Sequence, residues 1–446
     1  MLALSAFTDS SVADRLRAIA FWDTVREIAA AILFAATYLA VAIGRLPGSH
    51  LDRSGAAMAG AALMVAIGAL SLEQARDSVD FNTLILLLGM MIVVAHLRLS
   101  GFFQLITRWV VVLAHRELML LILIVVVAGL LSAFLVNDAV CLVLTPLVIE
   151  LVTRLELEPR PYLLAVAMAS NAGSVATLTG NPQNMIIGGL SHIPYVTFAA
   201  ALAPVAAVGL MVVAAAIAIT FRREFFPVRG LGAELTRDAI SPASASMTSS
   251  VPEGEPLNPP LIYKSFAVLA GTIVAFFFGV TPSLAAIVAG AILLIVGRAG
   301  SEDIYREVDW PLLMMFGGLF IVVAGMEHTL LSPRVVAAIL SLQLERAPVL
   351  AAVTAALSNL VSNVPAVLVL KPFVTALRDS QRAWLVVAMA ATLAGNFTLL
   401  GSVANLIVVQ VARAAGITIT FWDYFKLGAP LTIITIVIGL IIVHFH

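Results

Sequence analysis

Ten stretches of this chain are apolar over about 20 residues, the length a helix needs to cross the hydrocarbon core of a bilayer. They lie near 27–46, 54–72, 82–98, 161–190 and 199–221, and again near 262–281, 283–299, 310–327, 383–412 and 428–445. Hydrophobic residues make up 61% of the 446 and charged residues 11%, against about 45–50% and 25% in soluble domains. A soluble enzyme is excluded. The net charge of −1 offers no basic surface for nucleic acid, and Cys141, the single cysteine, can form neither an internal disulfide nor a multi-thiolate metal site. The N-terminus, with Asp9 and Asp14 beside its first basic residue, Arg15, carries no small-residue cleavage site, so no removed signal peptide is expected. No phosphate-cradling G-x-x-x-x-G-K-[ST] loop occurs, which excludes an ATP-driven pump on this chain. The driving force is left to an ion gradient, a solute gradient or a separate ATPase subunit.

Two further apolar stretches, about 117–154 and 346–378, carry polar residues at their centres and proline beyond them, the pattern of a hairpin that enters and leaves by one face. Between the halves, 222–260 is rich in Ser, Pro and charge and reads as a linker. The halves, 1–221 and 261–446, repeat. Val79 to Leu97 (VDFNTLILLLGMMIVVAHL) and Val308 to Met326 (VDWPLLMMFGGLFIVVAGM) agree at 8 of 19 positions, among them Gly89 and Gly318. Polar anchors recur too: Asn137, Pro146 and Pro204 fall on Asn363, Pro372 and Pro430, and Thr177, Gly180 and Asn184 on Thr398, Gly401 and Asn405. Five crossings per half is an odd number, so the second copy enters from the opposite side. The expected fold is an all-α polytopic membrane protein of two inverted-topology repeats, each with five crossings, a re-entrant hairpin and a broken helix (about 161–190 and 383–412). This topology puts 16 Lys and Arg on one face and 8 on the other. By the positive-inside rule the richer face, which includes the linker, is cytoplasmic and both termini are external. A multi-pass protein of the cell (inner) membrane is expected.

Polar groups at membrane depth are costly and collect where transport happens. Four clusters stand out: Ser132 to Ala139 and Ser358 to Pro365 in the hairpins, Thr177 to Asn184 and Asn396 to Asn405 in the broken crossings. Glycine and proline there interrupt the helical ladder and free backbone groups beside amide and hydroxyl side chains. One such residue alone serves equally well as packing glue; four clusters placed by a repeat point to function. Asp138 is an acid in an otherwise uncharged hairpin whose repeat counterpart is Val364. A carboxyl kept from water holds its proton more readily, which suits proton coupling; the alternative is a helix cap. Lys371, the other ionisable group at depth, either pairs with Asp138 or snorkels to an interface. His96, His192 and His328 fall near segment ends and read as wet interfacial residues, and 101–116 as an amphipathic anchor on the bilayer surface.

The motifs NDAVCLVLTPLVI at Asn137, SNAGSVATLTGNPQNMIIG at Ser170, LSNLVSNVPAVLVLKP at Leu357 and AGNFTLLGSVANLIV at Ala394 resemble the ion transporter superfamily. The likeness is to the arsenite/antimonite permease branch and the related plant silicon efflux transporters, over nearly the whole chain. The paired hairpins are shared with divalent-anion symporters and some sodium/proton antiporters. The resemblance implies a scaffold and a transport domain moving as an elevator, with substrate between the hairpin tips and the breaks. Carried onto this chain, the candidate substrate ligands are Asn137, Asp138, Thr177, Thr179, Gly180, Asn181 and Asn184, with Ser358, Asn359, Ser362, Asn363, Thr398, Gly401, Ser402 and Asn405. Asp138 and Lys371 are the candidates for proton coupling. The Ser-Asn-Thr triplets of the divalent-anion symporters are absent, which disfavours a dicarboxylate.

The function that follows is proton-coupled efflux of a small hydroxyl-rich solute or oxyanion, such as arsenous or silicic acid, since amides and hydroxyls offer donors and acceptors without fixed charge. Alternatives are a sodium- or proton-coupled anion transporter and a sodium/proton antiporter; a receptor or scaffold with a vestigial site belongs to a different class. No cofactor or metal is expected, the coupling ion being a proton or else sodium. The partners left open are the small-molecule or oxyanion substrate, the lipid bilayer, a second copy in a homodimer and the separate ATPase, with no nucleic acid.

Overall fold

A computed structural model describes residues 2–44, 51–226, 257–297, 300–330 and 343–445. Most of the linker expected at 222–260, from 227 to 256, lies outside the described residues. Among the described residues all regular structure is helical. Seven helices are long and apolar enough to cross a membrane: Thr24–Ile43 within α1 (Leu2–Ile43), α4 (Phe81–Leu99), α6 (Glu117–Phe134), α10 (Tyr195–Thr220), α12 (Pro259–Phe277), Trp310–Thr329 within α15 (Trp310–Leu330) and α20 (Phe421–His444).

Six of these are expected crossings; the seventh, α6, falls in the stretch at 117–154 expected to form a hairpin. Two expected crossings are shorter than a span. The run at 54–72 yields only α2 (Arg53–Ala66), 14 residues, because Gly68 turns the chain at φ +70° and Ser71 opens α3 (Leu72–Ser78) with a capping box to Gln74. The run at 283–299 yields α13 (Pro282–Val296), 15 residues opened by a proline at its first turn. The two remaining crossings are broken as expected. The first becomes α8 (Pro159–Ser174) and α9 (Pro182–Ser191), the second α18 (Ser380–Ala394) and α19 (Val403–Ala414) with a 3₁₀ turn, Leu399–Gly401, between them.

Both hairpin stretches fold as two consecutive helices. In the first, Leu135 and Val136 separate α6 from α7 (Asn137–Arg154); in the second, Ser362 alone separates α16 (Ala347–Val361) from α17 (Asn363–Thr375). Short helices α5 (Phe102–Leu113), α11 (Arg222–Phe225) and α14 (Ser301–Glu307) complete the order. On α5, Phe102, Phe103, Thr107 and Val110 are buried while Trp109 and Val112 are exposed, so one face of the helix packs on the protein.

The chain divides into two compact units, one made of Met1–Leu84, Trp310–Leu344 and Leu368–Ala376, the other of Ile85–Asp309, Glu345–Val367 and Leu377–His446. In the first, α2 packs along α15 so closely that a methyl group on Gly318 would lie 2.7 Å from the backbone carbon of Ala57. In the second, a methyl on Gly89 of α4 would lie 2.5 Å from the backbone carbon of Ala286 on α13. Gly318 follows Gly89 by 229 residues and Ala286 follows Ala57 by 229. Each glycine helix therefore packs on the short helix that belongs, by sequence, to the other half. The second unit is built around α8 and α18, on which every residue from Pro161 to Ser174 and from Ala383 to Ala394 is buried.

Candidate functional site

The two breaks are held open by matching hydrogen-bond patterns. After α8 ends at Ser174, Asn184 of α9 reaches back and donates through Nδ2 to the carbonyls of Ser174 at 3.1 Å and Thr177 at 2.9 Å. After α18 ends at Ala394, Asn405 of α19 donates through Nδ2 to the carbonyls of Gly395 at 2.7 Å and Thr398 at 3.2 Å. An interrupted helix leaves orphan carbonyls at its C-terminal side, and in both breaks an amide 10 residues on satisfies them. Asn181 caps α9, its side-chain oxygen accepting from the amide of Asn184 at 2.9 Å. Such caps explain why these polar residues stand where helix would otherwise continue.

Each break is tied to a residue of the opposite half. Asn171 on α8 donates through Nδ2 to Oδ1 of Asn396 at 2.9 Å and of Asn405 at 3.0 Å, and its Oδ1 accepts from Ser402 Oγ at 3.1 Å. Thr392 on α18 does the reciprocal work: its hydroxyl accepts from Asn181 Nδ2 and Gln183 Nε2, both at 3.2 Å, and lies 3.5 Å from Asn184 Oδ1. Thr392 follows Asn171 by 221 residues, as Ser402 follows Asn181 and Asn405 follows Asn184. All six side chains are buried.

The hairpin tips join the same network. At the first, the backbone amide of Asn137 donates to Gly180 O at 3.0 Å, Asn137 Nδ2 donates to Asn171 Oδ1 at 3.2 Å, and Thr177 Oγ1 donates to Ala133 O. Thr179 lies between Thr177 and Tyr195, its hydroxyl 3.2 Å from each. At the second tip, Asn359 donates through Nδ2 to Ala394 O at 3.1 Å and accepts from Thr398 Oγ1 at 3.1 Å. Gly401 lets Asn359 come that close, since a methyl there would sit 2.9 Å from its Oδ1. Ser362 takes φ +77° and ψ 161°, a conformation that is almost confined to glycine.

Three of the candidate side chains keep a buried polar atom without a protein partner: Asn137 Oδ1, Asn363 Oδ1 and Ser358 Oγ. The asymmetry of the serines is explained by one substitution between halves. Ser132 donates to Ser170 Oγ at 2.9 Å; Ser358 is the repeat counterpart of Ser132, but Ala391 stands 221 residues after Ser170 and offers no hydroxyl. Asp138 lies half-buried in the first turn of α7, where a helix N-terminus favours negative charge.

Two expectations meet a different environment. The partner the structure gives Lys371 is Glu327, at 3.2 Å, an acid near the end of α15. His96 is no wet interfacial residue: it is fully buried, donating through Nδ1 to Ile92 O at 2.8 Å, with Gly297 making room for its ring. His192 and His328 are exposed, as expected. Asn171, Gln183, Thr392, Tyr195 and Asn396 are the site residues missing from the sequence-derived set. Asn171 and Thr392 were findable, being polar residues within three residues of the ends of two largely apolar helices, just before each break.

A family profile described as "Citrate transporter" (CitMHS) matches residues 32–389 of this chain. The chain belongs to the citrate transporter family. It is a multi-pass membrane transporter and not an enzyme. The "46 kDa membrane protein" of Mycobacterium leprae is 28% identical over 93% of this chain and 97% of its own length. The "Silicon efflux transporter LSI3" of Oryza sativa subsp. japonica is also 28% identical, over the same shares. Among solved structures, the Alcanivorax borkumensis YdaH transporter covers 95% of this chain and 98% of its own with a TM-score of 0.53 at 14% identity, a likeness of fold.

Proposed function

We propose that this transporter exports a small, neutral, hydroxyl-rich solute of the arsenous or silicic acid kind, driven by protons, and that the solute lies between the two hairpin tips and the two breaks. The observation that carries this is the chemistry of the groups left over once the network is complete. Two are amide oxygens, Asn137 Oδ1 and Asn363 Oδ1, and one is a hydroxyl, Ser358 Oγ. Oxygens of this kind accept from solute hydroxyls, while the helix N-termini at Asn137, Pro182, Asn363 and Val403 favour the solute's own oxygens. A solute with hydroxyl groups uses both. The charged side chain at the first tip is Asp138, an acid, which opposes a polyanion and is suited to carrying the coupling proton. The relative named for silicon efflux agrees with this chemistry.

The family's description supports a second reading, an anion of the citrate type, taken with protons or sodium. Flux into proteoliposomes under an imposed pH gradient separates the two. Arsenous and silicic acids should be moved and citrate should not; citrate moved alone would reverse the order.

The reading includes two inverted repeats, which the reciprocal packing of Gly89 on Ala286 and of Gly318 on Ala57 and the crossed ties of Asn171 and Thr392 support. It includes a cytoplasmic linker and external termini. Supporting pairs each join residues that this topology puts on one face: Arg98 with Glu307 and Lys264 with the Val296 carbonyl inside, Arg382 with His444 outside. An elevator motion of the part that carries the tips and breaks completes it.

A further inference from the structure

The amides around the second break are all oriented in one direction. Backbone carbonyls accept hydrogen bonds and never donate them. Asn396 donates through Nδ2 to Met168 O at 3.0 Å, and Asn405 to Gly395 O and Thr398 O, so both must turn their side-chain oxygens toward Asn171. Asn171 meets them with its Nδ2, at 2.9 and 3.0 Å. Its own oxygen is then confined to accepting, and it accepts from Ser402 Oγ at 3.1 Å and Asn137 Nδ2 at 3.2 Å. Asn137 is thereby left one way round, nitrogen toward Asn171 and oxygen at the free end of the chain, 4% exposed as a residue and without a partner at Oδ1. Turning it over would set two amide oxygens face to face.

We propose that Asn171 is a positioning residue that fixes the amide of Asn137 with its oxygen toward the solute, so that the first hairpin tip selects a solute able to donate a hydrogen bond. This rests on the solute site proposed above and deepens it. The direction of a first-half ligand is set through carbonyls of the second break, which makes the two half-sites one unit: a change in the shape of one break alters affinity at the opposite tip. A purely structural role would use the same bonds merely to hold α8 against α19, and the difference between the two is measurable.

The test is a double-mutant cycle in proteoliposomes with arsenous acid as the probe, reading KM and Vmax separately alongside the unfolding temperature of each purified variant. Asn171→Ala frees the Asn137 amide to rotate and should raise KM about tenfold, the size expected for one misdirected hydrogen bond. Asn171→Asp keeps the acceptor for Asn137 and loses both donations to Asn396 and Asn405. It should unfold earlier than wild type yet keep KM within about threefold. In an Asn137→Ala background, Asn171→Ala should change KM no further. Additive effects on KM, or an Asp variant as impaired in KM as the Ala variant, would overturn the proposal. Should Asn171→Ala fail to fold, Asn171→Ser, which is polar but too short to reach Asn137, takes its place with the same expectation. Wild-type movement of citrate without arsenous acid contradicts the solute reading itself and the donor selection with it. The failure specific to Asn171 is a wild type that moves arsenous acid and a cycle that is additive.

Discussion

Lys371 and Glu327 form an ion pair with side chains 33% and 22% exposed. A charge in that setting is costly once its partner is removed, because the survivor stays partly desolvated. Lys371→Met or Glu327→Gln alone should therefore lower the unfolding temperature, and the double change should recover most of the loss; a double variant as unstable as the sum of the singles would show that the pair is not the reason Lys371 is tolerated. The sequence pointed to Lys371 but not to its partner, because Glu327 sits three residues from the end of α15 and looks like an ordinary terminal acid until α17 is seen beside it. The polar residues of the tips and breaks were legible for the opposite reason. Asn, Ser and Thr have no cause to cluster inside apolar runs unless backbone groups there need partners, and Asn184 and Asn405 supply those partners in the same way 221 residues apart.

The two stretches expected to be hairpins differ in the element that joins their helices. In the first, Leu135 and Val136 turn the chain with ordinary extended dihedrals. In the second, Ser362 turns it alone at φ +77°, which for a residue other than glycine costs on the order of 1–3 kcal/mol. Strain of that kind persists where the surroundings hold it, and Asn363, whose Oδ1 is buried without a protein partner, follows one residue on. Ser362→Gly should raise the unfolding temperature by releasing the strain and raise KM by loosening the tip. A variant that unfolds earlier than wild type would mean that the serine hydroxyl, not the backbone, decides the turn. Where the sequence misled was in helix length. The run at 54–72 reads as one crossing by hydropathy, but the turn at Gly68 and the capping box at Ser71 outweigh it, and the helix there stops at 14 residues.

At the scale of the whole molecule, two relations that hydropathy cannot show organise the chain. Gly89 and Gly318 pack on short helices of the opposite halves, and Asn171 and Thr392 tie down the breaks of the opposite halves. The repeat was visible in the sequence as a local likeness; the exchange of partners between halves depends on packing and was not. The topology proposed from the 16 to 8 basic count makes the linker at 222–260 cytoplasmic. A cysteine placed there in a Cys141→Ala background should resist impermeant thiol reagents added to intact cells and react once the membrane is opened. Ready labelling from outside would reverse the orientation. If, as proposed, Asp138 carries the proton that drives a hydroxyl-rich solute through these tips, the two fluxes are linked and can be followed together in one preparation. In proteoliposomes with a pH-sensitive dye inside, wild-type protein should accumulate arsenous acid against its gradient while an imposed pH difference collapses. Asp138→Asn should still exchange labelled for unlabelled solute but neither accumulate it nor move protons. Uphill accumulation by the Asn variant at the wild-type rate would contradict the account and reduce Asp138 to a helix cap.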